Sequence, residues 1–522
     1  MKRISVSTRI SALAVGLGLA LLIAGAPAIA KPWSFGVMGD TQWKNGYSDP
    51  TGNNINTVAV NQITAVNKQF VKSGVNFVVQ VGDLCDSDTI YPNNAALQTR
   101  LNANTDLNAA GIAFYGLRGN HEDKSSSVAF FQNNYIPTTS SNAAVAVSTD
   151  GISYSVTHNN TKILLLDILT NYSTAAMDAA TIWADSQLKA SDHSQAFVFT
   201  HKNLLGQNHK DNAFGSSNDA NPTQQNAFLA AIQNNGVRYV MSGHDHVHHR
   251  SIVASPDGQS SVQQIICASD SYKYYTPKGP YSTRETPIAQ ELYKTGYYIY
   301  TVDGPRVTGQ YYATTPLANG DVAPDAVFTL QETFGYSTNG KEFLVAKGES
   351  YTKVQDSYNG TIASILDGTN GSNAKTYDGR ALTKDINTGW TDMTTGFASN
   401  ILTLWGLSEL GSDVTDTFVL SLSYDPTKVT DLRNFGLVTR ELGGNWTVAG
   451  TNFVTGAWNS SYGLGTYGVD LANNTAWAVL NHNSDFAVSS GKLAPVPEPA
   501  TLLGFGVPML MVGLGKLKGF RK

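Results

Sequence analysis

The stretch Ser242–Arg250, SGHDHVHHR, places four of the chain's ten histidines within six residues. Imidazole carries protons near neutral pH and is the commonest side-chain metal ligand. A His-x-His pair on a turn can aim two rings at one place, so His244 and His246 read as metal ligands. The run before them, VRYVM, reads as a strand that ends just before a glycine, which permits a tight turn.

Four other segments follow the same pattern. After WSFGVM comes Gly39-Asp40-Thr41-Gln42, and after VNFVVQV comes Gly82-Asp83-Leu84-Cys85-Asp86. After IAFYGL comes Arg118-Gly119-Asn120-His121-Glu122, and after QAFVFT comes His201. Singly, a Gly-Asp is a turn and a lone histidine is a core residue. Together, five strand ends carry the carboxylate, amide and imidazole donors that divalent cations take. In open α/β sheets ligands bind beyond the carboxyl ends of the strands.

The elements that must position these residues are legible as well. Ile55, Val58, Ala59, Ile63, Val66 and Phe70 recur at helical spacing, which predicts a helix that Ser73-Gly74 stops. VNFVVQV, KILLLD and QAFVFT are the continuous apolar runs of strands buried on both faces. An α/β domain is therefore expected from Trp33 to about residue 315. From about 320 to 494, TDTFVLSLSYD, FGLVTREL, NWTVAG and TAWAVLN alternate between turn residues, the pattern of an antiparallel sandwich. Trp390, Trp405, Trp446 and Trp458 read as its core, with a stacking surface for a carbohydrate or polymer as the alternative.

The five blocks, in this order, resemble the calcineurin-like metallophosphoesterase superfamily, whose pattern is Asp-x-His, Gly-Asp-x-x-Asp, Gly-Asn-His-Asp/Glu, a later His, and Gly-His-x-His. The resemblance implies an α/β fold, a two-sheet sandwich flanked by helices, followed here by an all-β sandwich-like domain. It implies two divalent metal ions, Mn, Fe or Zn. Asp40, Gln42 and His246 would bind one, Asn120, His201 and His244 the other, and Asp83 would bridge them. The implied reaction is hydrolysis of a phosphate mono- or diester by in-line attack of a hydroxide bridging the metals. His121 would be the general acid, with Asp86 orienting its ring. LRGNHE is close to the protein phosphatase version of its block, which makes Arg118 a substrate contact.

Two departures from the family matter. Gln42 stands where the family usually has His, and an amide oxygen suits a harder ion such as manganese better than zinc. Asp86 stands where purple acid phosphatases carry Tyr, which excludes that branch. His248 and His249 read as supporting or solvated residues. The segment from Asn203 to Asn226, with His209 inside it, reads as a polar loop over the site.

Composition bounds the rest. Of 522 residues, 41% are hydrophobic and only 14% charged, with a net charge of −5. Nucleic-acid binding is not expected without a basic surface. Residues 1–30, with Lys2, Arg3 and Arg9 before an apolar run and Ala28-Ile29-Ala30, read as a signal peptide for a signal peptidase. Residues 495–522 contain Pro497-Glu498-Pro499, an apolar run and a basic end. That order resembles the PEP-CTERM sorting signal of Gram-negative bacteria and implies an exosortase-type protease as a processing partner. The expected location is the periplasm, cell surface or exterior, with membrane contact only through this segment. The expected domains are 31–318 for the phosphoesterase and 319–494 for the β-domain. Cys85 and Cys267 are expected to stay unpaired. The alternative function is a surface or matrix binding protein that keeps the fold with little or no activity.

Overall fold

The computed structural model describes residues 31–491 apart from 45, 87–93, 138–144, 169–172, 280, 409, 412–415, 433–434 and 442–443. The expected signal peptide and sorting segment lie outside the described residues. Among the described residues no helix is long and apolar enough to cross a membrane.

The first half runs β1 (Trp33–Met38), α1 (Val60–Ser73), β2 (Phe77–Gln80), α2 (Ala95–Asn102), α3 (Thr105–Ala109), β3 (Ala113–Gly116) and α4 (Ser125–Asn134). Next come β4 (Val145–Val147), β5 (Tyr154–His158), β6 (Thr161–Leu166), α5 (Thr174–Leu188), β7 (Gln195–Thr200), α6 (Pro222–Asn234) and β8 (Tyr239–Ser242). It closes with β9 (His248–Ala254), β10 (Ser261–Ile266), β11 (Glu285–Glu291), β12 (Thr295–Asp303), β13 (Arg306–Thr314) and β14 (Thr329–Ser337).

These strands make two mixed sheets, ordered β14-β13-β12-β1-β2-β3 and β11-β9-β10-β8-β7-β6-β5-β4. Alternation along the buried strands explains the layering, because successive side chains point to opposite faces. Ile163 and Leu165 of β6 and Phe197 and Phe199 of β7 pack in the core between the sheets. Their neighbours Leu164, Leu166, Ala196 and Val198 face the other way, onto Met177 and Leu188 of α5 and Phe228 and Leu229 of α6. On the far side, Ile63, Val66 and Phe70 of α1 join the core of the first sheet. The two-sheet sandwich flanked by helices is thus as expected.

Some boundaries differ. The apolar face that starts at Ile55 becomes helix only at Val60, because Asn56 and Thr57 hold φ of 51° and 62°. Ile55 is accordingly exposed. The first sheet also runs past residue 318. β14 pairs with β13 from Arg306↔Ser337 to Ala313↔Thr329, so the first sheet extends to Ser337.

Beyond it, two six-stranded sheets pack face to face. Their shared core includes Ile386, Trp390, Leu402 and Phe486 from one sheet and Ile365, Leu420, Ala476 and Leu480 from the other. Trp390 is buried in that core, as expected; Trp405 is buried against β13 and β14 instead, its Nε1 donating to Thr308 Oγ1 at 3.2 Å, and Trp446 and Trp458 are half-buried.

The two halves are joined by buried charge. Arg250 of β9 pairs with Glu332 of β14 at 2.6 Å and lies over the Phe334 ring at 4.0 Å. Its other arm is 3.6 Å from Asp385 of the C-terminal sandwich. Breaking a buried pair strands its partners, which is the costly way to lose one. Arg250→Met is therefore expected to destabilise the chain by about 3–5 kcal/mol, read as a lower urea midpoint.

Candidate metal centre

Five strand ends meet at one edge. β1, β2 and β3 are mutually parallel in the first sheet, and β7 and β8 are parallel in the second. Their carboxyl ends deliver Asp40, Asp83, Asn120, His201 and His244 with His246. Two groups of ligand atoms result: Asp40, Asp83 and His246 form one, and Asp83, His201 and His244 the other. Within each group the atoms lie within 4.8 Å of one another, and Asp83 belongs to both. All five side chains are buried.

The backbone is bent to achieve this. Asp83, His244 and His246 hold φ of 46°, 68° and 51°, a region that costs non-glycine residues energy and that clusters at functional sites. Glycine makes the close approach feasible. A Cβ on Gly119 would sit 1.9 Å from Asp83 Oδ1, and one on Gly243 would sit 2.5 Å from Asp40 Oδ2.

Each histidine is oriented by its second nitrogen. His201 Nδ1 donates to the Val81 carbonyl at 2.8 Å, which leaves Nε2 toward Asp83 Oδ1 at 3.3 Å and Asn120 Oδ1 at 3.1 Å. His246 Nδ1 is held by the Lys273 carbonyl at 3.1 Å and the Ser269 hydroxyl at 3.0 Å, with Nε2 3.6 Å from Asp40. Such anchoring is typical of metal-binding imidazoles. The His244 ring stacks on His209 at 4.1 Å, and its Nε2 lies 3.4 Å from Asp211.

The donor set fits a pair of cations. Burial pushes the Asp40 carboxyl up to about 7, with His201 opposing and the Asp83 charge adding to the rise. Burial would raise Asp83 as well, but the neighbouring histidines, His201 foremost, hold it well below the usual carboxylate range. Gln42 Nε2 donates to Asp83 Oδ2 at 2.6 Å, while its Oε1 is buried with no hydrogen-bond partner. A buried acceptor without a donor calls for an explanation, and a cation beside Asp40 and His246 supplies one.

His121 sits at the rim, half-buried. Its Nδ1 donates to the Asp86 backbone carbonyl, and its Nε2 is 3.9 Å from Asp83 Oδ2. Asp86 thus orients the ring as expected, chiefly through its backbone carbonyl, with its carboxylate close by. The Asp86 carboxylate is 3.6 Å from Nδ1 and is paired with Lys273 Nζ at 2.6 Å.

Arg118 differs from expectation. Its side chain is only 1% exposed, and its Nε pairs with Asp167 at 2.7 Å. Nη1 donates to the Glu122 carbonyl at 3.3 Å. Enclosed in this way, it holds the Gly119–Glu122 turn. Glu122 accepts from the Gly119 and Cys85 amides, at 2.8 and 3.0 Å, and ties two of the ligand loops together.

His248 and His249 are fully buried. They pair with Glu332 at 3.1 Å and Glu285 at 2.7 Å. Neither is solvated. The loop expected over 203–226 ends at Pro222, where α6 begins. It is fastened from below by the buried Asp245 carboxylate, which accepts from Asn203 Nδ2, the Gln207 amide and His209 Nδ1 at 2.6, 2.5 and 2.8 Å. Cys85 and Cys267 are both buried, and they form no disulfide among the described residues.

Lys273, Tyr272, Asp167 and Tyr275, whose ring lies 4.9 Å from that of His246, escaped the sequence reading. The missing signal was topological. β10 runs parallel to β8, and β6 parallel to β7. The residues after Ile266 and Leu166 therefore emerge at the same edge, although neither strand end carries a recognisable motif.

Residues 34–248 match the family model of the calcineurin-like phosphoesterases. No curated protein matches the chain. Similar solved structures include GAP50, the anchor in the inner membrane complex of Plasmodium, at 12% identity over 54% of this chain and 84% of that one, with a TM-score of 0.37. A dimetal phosphatase from Danio rerio is 16% identical over 53% of this chain and 95% of its own, with a TM-score of 0.35. Purple acid phosphatase PPD1 from yellow lupin seeds is 12% identical over 59% and 54%, with a TM-score of 0.41.

Proposed function

We propose that this chain, which carries a calcineurin-like phosphoesterase domain at residues 34–248, is a metal-dependent hydrolase of phosphate mono- or diesters. The observation that carries the reading is the pair of buried ligand groups sharing Asp83. Asp40, Gln42, Asp83 and His246 would hold one divalent ion, and Asp83, Asn120, His201 and His244 the other. Two ions bound there would activate water at neutral pH and offset charge on the phosphoryl oxygens.

The chain's own residues supply positioning. Val81 fixes the His201 tautomer, and Ser269 and Lys273 fix that of His246. His121, anchored at Nδ1 by Asp86, holds a proton at Nε2 for the leaving oxygen, a general-acid role. The Gln42 oxygen favours a harder ion such as manganese in the first position. Arg118 supports the His121 turn from behind. Export and surface processing complete the proposal and rest on residues 1–30 and 495–522 alone.

The test is hydrolysis of p-nitrophenyl phosphate and bis-p-nitrophenyl phosphate after chelation, with Mn, Zn or Fe added back. The expected result is turnover restored by metal, with the better ester separating monoesterase from diesterase. No turnover of either ester with any of the three metals would contradict the reading.

A further inference from the structure

The segment that follows β10 builds one wall of the centre. The Tyr272 ring lies 5.1 Å from that of Tyr47 and 6.0 Å from that of Trp43, and Trp43 lies 5.9 Å from Tyr47. Trp43 is buried and forms the base of this cluster. Tyr272 is half-buried, and Tyr47 is 42% exposed. Partly exposed aromatic rings beside a polar site offer a surface on which a planar group can stack.

The cluster's position gives it meaning. Lys273 Nζ lies 5.4 Å from the Tyr272 ring centroid and 2.6 Å from Asp86, and the Asp86 carbonyl anchors His121. The aromatic wall therefore stands on the His121 side, where a leaving group would depart. Two of the cations nearest the centre are already engaged: Lys273 with Asp86, and Lys202 with Asp211 at 2.6 Å. Neither is held open for a second phosphate. The arrangement suits one phosphoryl group joined to a planar aromatic body.

We propose that Tyr47 and Tyr272 set substrate choice by stacking the base of a nucleoside monophosphate whose phosphate enters the centre around Asp83. This rests on the phosphoesterase reading above. Stacking on an aromatic side chain is tolerant of base identity, because every base has a π-face. Discrimination is therefore expected for base over no base, with little among bases.

The experiment compares kcat/KM for adenosine 5′-monophosphate and ribose 5-phosphate in the metal-loaded full chain. Both release a primary alkoxide, so leaving-group chemistry is matched. Adenosine 5′-monophosphate is expected to be favoured by roughly 5- to 100-fold, the worth of one stacked base, mostly through KM. Tyr47→Ala is expected to bring the ratio toward one, and Tyr47→Trp to retain it. Equal kcat/KM in the wild-type chain, or a ratio untouched by Tyr47→Ala, would overturn the proposal. So would turnover of p-nitrophenyl phosphate or bis-p-nitrophenyl phosphate without turnover of the nucleotide. Loss of all turnover, both nitrophenyl esters included, would overturn the phosphoesterase reading and this inference with it.

Discussion

Asp83→Asn is expected to lower kcat/KM by about 10³ or more, since it removes the one carboxylate common to both ligand groups and with it the centre's charge stabilisation. The substitution is nearly isosteric, so the packing against Gly119 is preserved. It also suits the backbone. Asp83 holds a φ of 46°, and asparagine is among the few residues that visit this region readily. The chain should therefore fold with an unchanged circular dichroism spectrum while losing bound metal and activity together. An active Asp83→Asn chain would show that the shared carboxylate is not the keystone of the site.

His121→Asn is expected to leave metal content intact and lower kcat on alkyl phosphates by about 10²–10⁴, the usual worth of a general acid. On p-nitrophenyl phosphate the loss should be much smaller, because nitrophenolate departs without a proton. The contrast between the two substrates separates a proton donor from a residue that merely supports the fold. His121 is well placed for the test. It is half-buried, and its ring is anchored by a backbone carbonyl, with the Asp83 carboxylate 3.9 Å from Nε2 as its neighbour in the centre. Equal losses on both substrates would assign His121 to binding or structure instead.

Much of this was legible in the residues. The five strand ends could be read because continuous apolar runs such as VNFVVQV and QAFVFT are unambiguous, and because glycine marks where the chain must turn. The division of donors around Asp83 followed from resemblance, and the folded chain brings those side chains to one edge. What escaped had no local signature. Asp167, which encloses Arg118, and Lys273, which takes the Asp86 carboxylate, follow strands whose ends look ordinary. Their roles appear only when the parallel pairings β6–β7 and β8–β10 are known.

The burial of His248 and His249 was hidden for a related reason. Their partners Glu332 and Glu285 are distant in sequence, so the run by itself left a supporting and a solvated role both open. The extension of the first sheet to Ser337 was concealed by a β-strand that reads like those of the domain after it. Periodicity distinguishes strand from helix, and it does not say which sheet a strand will join.

The most direct test of the central claim is the metal content of the full chain after chelation, reloading with Mn, Zn or Fe, and desalting. The account predicts two divalent ions per chain in the wild type and a loss of both sites' retention in Asp83→Asn. A well-folded wild-type chain that retains no ion from any of the three metals would contradict it.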